Sequence, residues 1–279
     1  MWFLFAALSG LLYSGESLLQ RFLLRDQKDA WAFSFFYSLI GTVIALPFML
    51  ADAQLPTSWV PWLLAVVVGL LIVGNNLLVF KSSNYLEASI VGSLSKIRFV
   101  WIFVLGILFL DSSFSWPKLF GTVLAIAAGV VIIHSFKRPK SLVGIALVLG
   151  ATLFNASIII LSKYLLDSFN VASFTFFATF LPAAIFNFLL MPQAFKRTKR
   201  LFKSDWRVIV VACSLGAFAN LALNKALSLH DANSVVVMSE IFLVLVLAGE
   251  HILLKEKEHL WIKLLSIALA ISGAILMQI

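Results

Sequence analysis

One cysteine, Cys213, occurs in 279 residues, so no disulfide can form within the chain. Charge is scarce as well: Asp, Glu, Lys and Arg make up 12% of the sequence, about half the ~25% of an ordinary soluble domain. A soluble protein of this composition could not coat its surface with polar groups. The strict apolar/polar alternation of a membrane barrel is missing too, which excludes a transmembrane β-barrel. Motifs for chemistry are absent: there is no His-Glu-x-x-His zinc pattern, His251 and His259 fall at a helix end and in a loop, and no serine has a plausible histidine base. The sequence therefore leads us to expect no enzyme, no metal and no cofactor.

What is present is one apolar run after another, with hydrophobic residues at 62%. A bilayer core needs about 20 apolar residues per helix, and inside lipid only helices and closed barrels satisfy their own backbone. The chain reads as all-α and integral to a membrane, with ten spans at 2–24, 30–50, 60–80, 86–109, 116–135, 141–164, 172–194, 206–228, 232–254 and 259–278. The first of these lacks a basic start and is too long for a signal-peptide core, so it is expected to stay as a transmembrane helix.

The second half repeats the first. An offset of 144 carries Asn76 to Asn220, Lys81 to Lys225, Ala88 to Ala232, Ser95 to Ser239, Ile97 to Ile241 and Gly129 to Gly273 without a gap. At a slightly different offset, Arg21-Phe22-Leu23-Leu24 answers Lys163-Tyr164-Leu165-Leu166. Residues 1–136 form one five-helix repeat and 141–279 the other, joined by the basic linker 137–140. Five is odd, so the second copy enters the membrane from the opposite side and the repeats are inverted. Inverted repeats around a central cavity are a common basis for alternating access in secondary transporters.

Lys and Arg set the expected orientation. Sixteen of the 21 basic residues fall in or beside odd-numbered connections, against three for even-numbered ones, which puts the odd connections in the cytoplasm. The densest cluster, Lys196, Arg197, Lys199, Arg200 and Lys203, reads as a basic loop resting on anionic headgroups rather than as a nucleic-acid patch. Membrane lipid and a small solute are the expected partners, and nucleic acid is not. Small residues four apart, Gly121, Ala125 and Gly129 on the fifth span and Ser266, Ala270 and Ala274 on the tenth, mark faces for close helix packing. Packing within a monomer and across a homodimer both satisfy that pattern.

A charge at mid-membrane costs about 3 kcal/mol on insertion scales, so it usually has a function. Lys81, Lys163 and Lys225 lie near span ends and can snorkel to the interface. Glu16, Lys96, Arg98 and Glu240 lie deeper. Helical spacing groups Ser9, Tyr13, Glu16 and Gln20 into one stripe, and Ser89, Ser93 and Lys96 into another. Asn75 and Asn76, Asn155 with Ser162, and Asn220 with Asn224 add amides on the third, sixth and eighth spans. Lys96 and Glu240 occupy repeat-related positions, which makes them either substrate ligands near the midplane or a permanent ion pair. Arg98, two residues from Lys96, projects about 200° away on a regular helix and falls outside the expected site. Trp101 reads as an ordinary packing or interface aromatic. Glu16, answered by Ile158 in the second repeat, is either a proton carrier or cation ligand, or a carboxyl satisfied by Gln20, Tyr13 or an asparagine.

In this arrangement the chain resembles the drug/metabolite transporter superfamily, and within it the EamA-type members. The resemblance covers essentially the whole chain. It rests on the two five-helix repeats and on a recurring apolar helix, acid-containing turn and glycine-bearing helix. The first copy reads Phe109-Leu110-Asp111 followed by Trp116, Gly121 and Gly129; the second reads Leu254-Lys255-Glu256-Lys257 followed by Trp261 and Gly273. Family copies often carry a proline in the fourth and ninth helices, sometimes as Glu-Pro, where this chain has Lys96-Ile97 and Glu240-Ile241. Leu265 replaces the glycine expected opposite Gly121. Phosphate-exchanging relatives use clustered basic residues in the ninth helix, and Glu240 argues against that chemistry.

The resemblance implies export or exchange of a small metabolite across the inner membrane of a bacterial or archaeal cell. A zwitterion suits the residues: Lys96 for a carboxylate, Glu240 or Glu16 for an ammonium, and Asn76, Asn155 and Asn220, with Tyr13 on the same stripe as Glu16, for neutral hydrogen bonds. The leading expectation is an amino-acid or amino-acid-like exporter or exchanger, with a proton or counter-solute as its co-reactant. The alternatives are a proton-coupled exporter of organic cations or drugs, with Glu16 or Glu240 exchanging proton for cation, and a non-transporting scaffold or scramblase.

Overall fold

The computed structural model describes residues 1–24, 29–86, 90–91, 94–109, 116–134, 141–230, 235–236, 238–239 and 260–276, with only the backbone described at some helix positions, Lys96 among them. All regular structure among the described residues is helical. In chain order the helices are α1 (Trp2–Leu24), α2 (Ala30–Ala51), α3 (Trp59–Ser82), a 3-10 turn (Ser95–Ile97) leading into α4 (Arg98–Phe109), and α5 (Trp116–His134). The second half continues with α6 (Leu142–Leu165), α7 (Val171–Leu190), α8 (Ala194–Leu229) and α9 (Leu260–Leu276). Among the described residues, six of these (α1, α2, α3, α6, α7 and α8) are long and apolar enough to cross a membrane. Most of the expected ninth span, 232–254, lies outside the described residues.

Polar residues define where these helices begin. Asp29 accepts from the backbone N–H of Trp31 and Ala32, both at 3.1 Å, and so caps α2. Ser141 caps α6 through the Gly144 N–H at 3.0 Å, and Asn170 caps α7 through the Ser173 N–H at 2.9 Å.

Two segments depart from the sequence expectation. The fourth span is not one uninterrupted α-helix, because Ser95–Ile97 tightens into a 3-10 turn before α4 begins at Arg98. The basic stretch before residue 206 is helical rather than a loop, since α8 starts at Ala194 and bends at Asp205, whose φ/ψ of −143°/27° is not helical. Arg197 in that stretch is held by protein: its Nε and Nη2 reach the two Asp29 oxygens, each at 2.5 Å, and its guanidinium lies 5.6 Å from the Trp31 ring centroid.

A third irregularity sits inside α7. Thr175–Phe180 is π-helical, with the Leu181 N–H reaching back to the Phe176 carbonyl. Pro182 explains it: proline has no N–H for the carbonyl four residues back and its ring crowds that turn, so a widened turn before it relieves both problems.

The helices pair across the halves. α1 packs along α8, α3 along α6 and α5 along α9, while α2 contacts both α7 and α8. The α5–α9 pairing lies within the monomer, and Gly121, Ala128, Ile267 and Gly273 on these helices are buried. Apolar cores fill the remaining joints. Phe33, Leu24, Phe180, Ile209 and Cys213 pack between α1, α2, α7 and α8; Val68, Val73, Leu165 and Phe174 pack between α3, α6 and α7.

The distribution of polarity is that of a protein in lipid. On α1, Leu4, Leu8 and Leu11 are exposed while Ser9, Glu16 and Gln20 are buried. In water such exposure of apolar area would be unfavourable, and in a bilayer the buried polar groups need partners inside. Those partners, and a cavity, lie at the centre.

Candidate functional site

A central cavity of about 310 Å³ is walled by α1, α2, α3, α4, α6, α7 and α8, with Val236 and Ser239 beside them. α1 contributes Tyr13, Glu16 and Gln20, one face at helical spacing, as the sequence stripe predicts; Ser9 of that stripe is buried but not in the wall. α3 supplies Asn75 and Asn76, α6 supplies Thr152, Asn155 and Ser162, α7 supplies Thr179, and α8 supplies Asn220 and Asn224. Ser95 and Arg98, three residues apart, enter from the 3-10 turn and the start of α4.

Amides and hydroxyls in the wall are joined in chains. Asn220 Nδ2 donates to the Tyr13 hydroxyl at 3.1 Å, Asn224 Nδ2 donates to Asn220 Oδ1 at 3.0 Å and to Thr175 Oγ1 at 2.9 Å. The last of these bonds ties the wall to the π-helical turn of α7. Across the cavity, Arg98 Nη1 donates to Asn155 Oδ1 at 3.2 Å, and Asn75 Nδ2 donates to Asn76 Oδ1 at 3.4 Å. Gln20 Nε2 donates to Ser83 Oγ at 2.7 Å, which fixes the end of the α1 stripe against the end of α3. Trp101, an exposed aromatic, donates through Nε1 to Thr152 Oγ1 at 3.2 Å, so its indole N–H is satisfied within the protein.

Buried side-chain atoms of the wall without a protein hydrogen-bond partner stand out against this background, Asn75 Oδ1 among them. Glu16 Oε1 and Asn76 Nδ2 are buried and have no protein hydrogen-bond partner among the described residues. A buried acceptor or donor left unmade costs about 1–3 kcal/mol, more if charged. One is an acceptor and the other a donor, and both belong to residues of the cavity wall. A bound solute that offers both kinds of group would recover that free energy.

Of the residues singled out from the sequence, Tyr13, Glu16, Asn76, Asn155 and Asn220 come together in this one wall. The Lys96 side chain and all of Glu240 lie outside the described residues. Gln20, neighbour to the expected set, also faces in, so the alternative that it satisfies Glu16 Oε1 is not realised: its Nε2 is bonded to Ser83. Arg98, which the sequence reading left outside the expected site, lies in the cavity wall. Its signal was the pair Ser95 and Arg98 at i, i+3, which shares a face in a tightened turn as well as in an α-helix.

Comparison with known proteins agrees with this architecture. The model of the EamA-like transporter family matches the sequence twice, over residues 1–134 and 142–279. No protein of curated function matches it. One protein of known crystal structure superimposes with a TM-score of 0.57 at 15% identity, covering 99% of this chain and 95% of its own. At that identity the likeness shows a shared fold and nothing of substrate. With a family match over both halves and apolar helices that can span a bilayer, the chain is an integral membrane protein and belongs to the EamA-like transporter family of the drug/metabolite transporter superfamily.

Proposed function

We propose that this transporter exports or exchanges an amino acid or amino-acid-like metabolite by alternating access, using the central cavity as its binding site. The observation that carries the reading is the polar wall itself: among the described residues, one carboxylate, one guanidinium and a set of amides meet in an otherwise apolar bundle. Glu16 Oε1 and Asn76 Nδ2, buried without protein partners, supply an acceptor and a donor for a solute. Tyr13, Asn155 and Asn220 belong to the same polar lining. Lys96 and Glu240 belong to the same proposal on the strength of their repeat-related positions.

Size favours a small solute. Small-molecule pockets run from about 300 to 1,000 Å³, and about 310 Å³ sits at the lower end. The ten-helix, inverted-repeat architecture is part of the proposal. It is supported by the exchange of helices between halves: α1 packs on α8, and its repeat counterpart α6 packs on α3, the counterpart of α8. An inverted pair of this kind offers two equivalent asymmetric packings, one open to each side. An inner membrane, with odd-numbered connections in the cytoplasm, follows from the basic residues.

A second reading is favoured by the solitary Glu16 oxygen: an organic cation exchanged for a proton at that carboxyl. The deciding experiment is counterflow in proteoliposomes loaded with a labelled amino-acid pool, comparing wild type with Glu16→Gln, Lys96→Ala and Glu240→Ala. Exchange of an amino acid by wild type, lost in Glu16→Gln while the protein remains folded, supports the reading. Movement of a cationic dye under a pH gradient with no amino acid exchanged replaces it with the second. Exchange that survives Lys96→Ala and Glu240→Ala together removes those two from the site.

A further inference from the structure

We propose that the first part of α8, residues 194–204, is a membrane-surface helix whose cationic side binds the headgroups of anionic phospholipids in the protein's own bilayer.

Length places this segment at the surface. α8 runs over 36 residues, and about 20 are enough to cross a hydrocarbon core. The part beyond the bend at Asp205, residues 206–229, rises about 36 Å at ~1.5 Å per residue and crosses the core by itself. Residues 194–204 are therefore surplus to the crossing. They are also tethered at both ends. α7 finishes at Leu190, and the chain reverses through Met191, Pro192 and Gln193, the last in the left-handed region at a φ of 52°. At the other end the crossing part of α8 resumes straight after Asp205. A helix held between two membrane crossings by connections this short stays at the level of the headgroups.

The three sides of this helix differ in chemistry. One is docked on protein: Thr198 and Leu201 are buried, and Arg197 is bonded to Asp29. A second is aromatic. Phe195 and Phe202, seven residues apart and so on one face, are 74% and 41% exposed. The Phe202 ring lies 5.4 Å from that of Phe36, which sits well inside the apolar α2, so the aromatic side is turned toward the apolar layer. The third side carries Lys196, Lys199, Arg200 and Lys203, all exposed, and among the described residues none of these four is in an ion pair. Lys199 Nζ lies 5.8 Å from the Phe195 ring, where the cationic and aromatic sides meet.

Each of the four cations has a like charge three or four residues away, an arrangement that is unfavourable on a helix in water. A layer of anionic phosphates relieves that repulsion, while the phenyl rings enter the boundary beneath it. Basic residues on one side and aromatics on the other are the composition of helices that lie in a membrane interface.

The test compares spin-labelled phosphatidylglycerol with spin-labelled phosphatidylcholine in phosphatidylcholine vesicles. The readout is the motionally restricted, protein-bound fraction of each lipid by electron spin resonance. The proteins are wild type, a fourfold variant (Lys196→Gln, Lys199→Gln, Arg200→Gln and Lys203→Gln), and Lys225→Gln, which alters an exposed lysine near the far end of α8. Wild type is expected to hold the anionic lipid about twofold or more in preference to the neutral one, as basic residues at the surface allow. That preference should vanish in about 1 M salt, where the screening length falls to about 3 Å. In the fourfold variant the ratio falls toward one, and in Lys225→Gln it matches wild type. Lys199→Gln with Lys203→Gln lowers the ratio part of the way, and decides the matter if the fourfold variant fails to fold. Equal holding of the two lipids by wild type overturns the proposal, and so does a preference that the glutamine variants keep. A wild type without lipid preference that forms a dimer, dissolved by the same glutamines, gives this side of the helix to a second copy of the chain instead. None of these readouts involves transport, so the outcome stands apart from the identity of the solute.

Discussion

Arg21 Nη1 donates to the Ser83 carbonyl at 2.5 Å, fastening the last turn of α1 to the end of α3. The second half contains the same bond. Lys163, the counterpart of Arg21, donates through Nζ to the Leu227 carbonyl at 3.0 Å, and Leu227 is the counterpart of Ser83 at the offset of 144. Nζ also reaches the His230 carbonyl at 3.4 Å, beneath the Trp2 ring stacked 4.4 Å from His230. A cation at a helix C-terminus answers the partial negative charge of the last carbonyls. Lys163 and Arg21 thus fasten helices, where the sequence alone suggests a snorkelling lysine.

In an inverted repeat these two fastenings sit at opposite faces of the membrane, so each is expected to hold one end of the cavity closed. Arg21→Met and Lys163→Met, made in a Cys213→Ala background with a reporter cysteine at Ser162, are expected to raise labelling by a membrane-impermeant thiol reagent from opposite sides. Equal labelling from one side in both variants would rule the paired role out.

Asp29 joins the capped start of α2 to Arg197 of α8 and is expected to make stability depend on acid. Burial raises its pKa, but the Arg197 hydrogen bonds and charge and the N–H groups of Ala32 and Trp31 outweigh this and hold the carboxyl below its usual value. A carboxyl with a depressed folded pKa contributes stability that is complete above the unfolded value of about 3.9 and lost as pH falls through the folded pKa. Asp29→Asn keeps the cap and loses the charge. The difference in Tm between wild type and Asp29→Asn should be present at neutral pH and shrink steadily below about pH 4. Because the pair is partly exposed, the difference at neutral pH should stay near 1 kcal/mol or less; a gap that does not shrink in acid would contradict this account.

Gly216 faces the Tyr37 ring so closely that an added Cβ would overlap it. Gly216→Ala is expected to destabilise the protein by about 1–3 kcal/mol, the usual cost of overpacking. Gly150 is the control: a Cβ there meets only Leu78 Cδ1 at 3.4 Å, ordinary contact on an exposed face. Gly150→Ala should therefore be neutral or slightly stabilising, since alanine suits a helix better than glycine. Thermal unfolding in detergent separates the two; a Gly216→Ala protein as stable as wild type would show that Tyr37 moves aside without cost.

Tyr13→Phe removes the hydroxyl that accepts from Asn220 and leaves the ring in place. A loss of about 1 kcal/mol in stability is expected, together with a higher KM for the transported solute, because Asn220 then loses the partner that holds its donor in place. An unchanged KM would make the Tyr13–Asn220 bond structural only.

How far the sequence reveals this molecule depends on the range of each interaction. The ends of α1, α2, α3 and α6 are legible because an apolar run stops at polar residues, and the Tyr13, Glu16 and Gln20 stripe is legible because 4-3 spacing survives in a regular helix. Arg98, set apart from Lys96 by a uniform 100° step, lies in the cavity wall just after the tighter turn Ser95–Ile97, a local change of helix type that the sequence pattern does not announce. The helix over 194–204 was hidden by its charge density, and the widened turn at Thr175–Phe180 by its dependence on Pro182. The Asp29–Arg197 bridge spans 168 residues of sequence, beyond the reach of any local pattern. The cavity wall draws on seven of the described helices, so its membership follows from packing that no single helix encodes.

The exchange of helices between the halves has a consequence for how the molecule holds together. With α1 seated on α8 and α6 on α3, each half finds its nearest neighbours in the other. Two separate chains with those surfaces would have to meet in the bilayer and would come apart on dilution. Joined in one polypeptide, they meet at the high effective concentration that a short tether provides. The body of the protein is thus an association that cannot dissociate, with its central cavity on the seam.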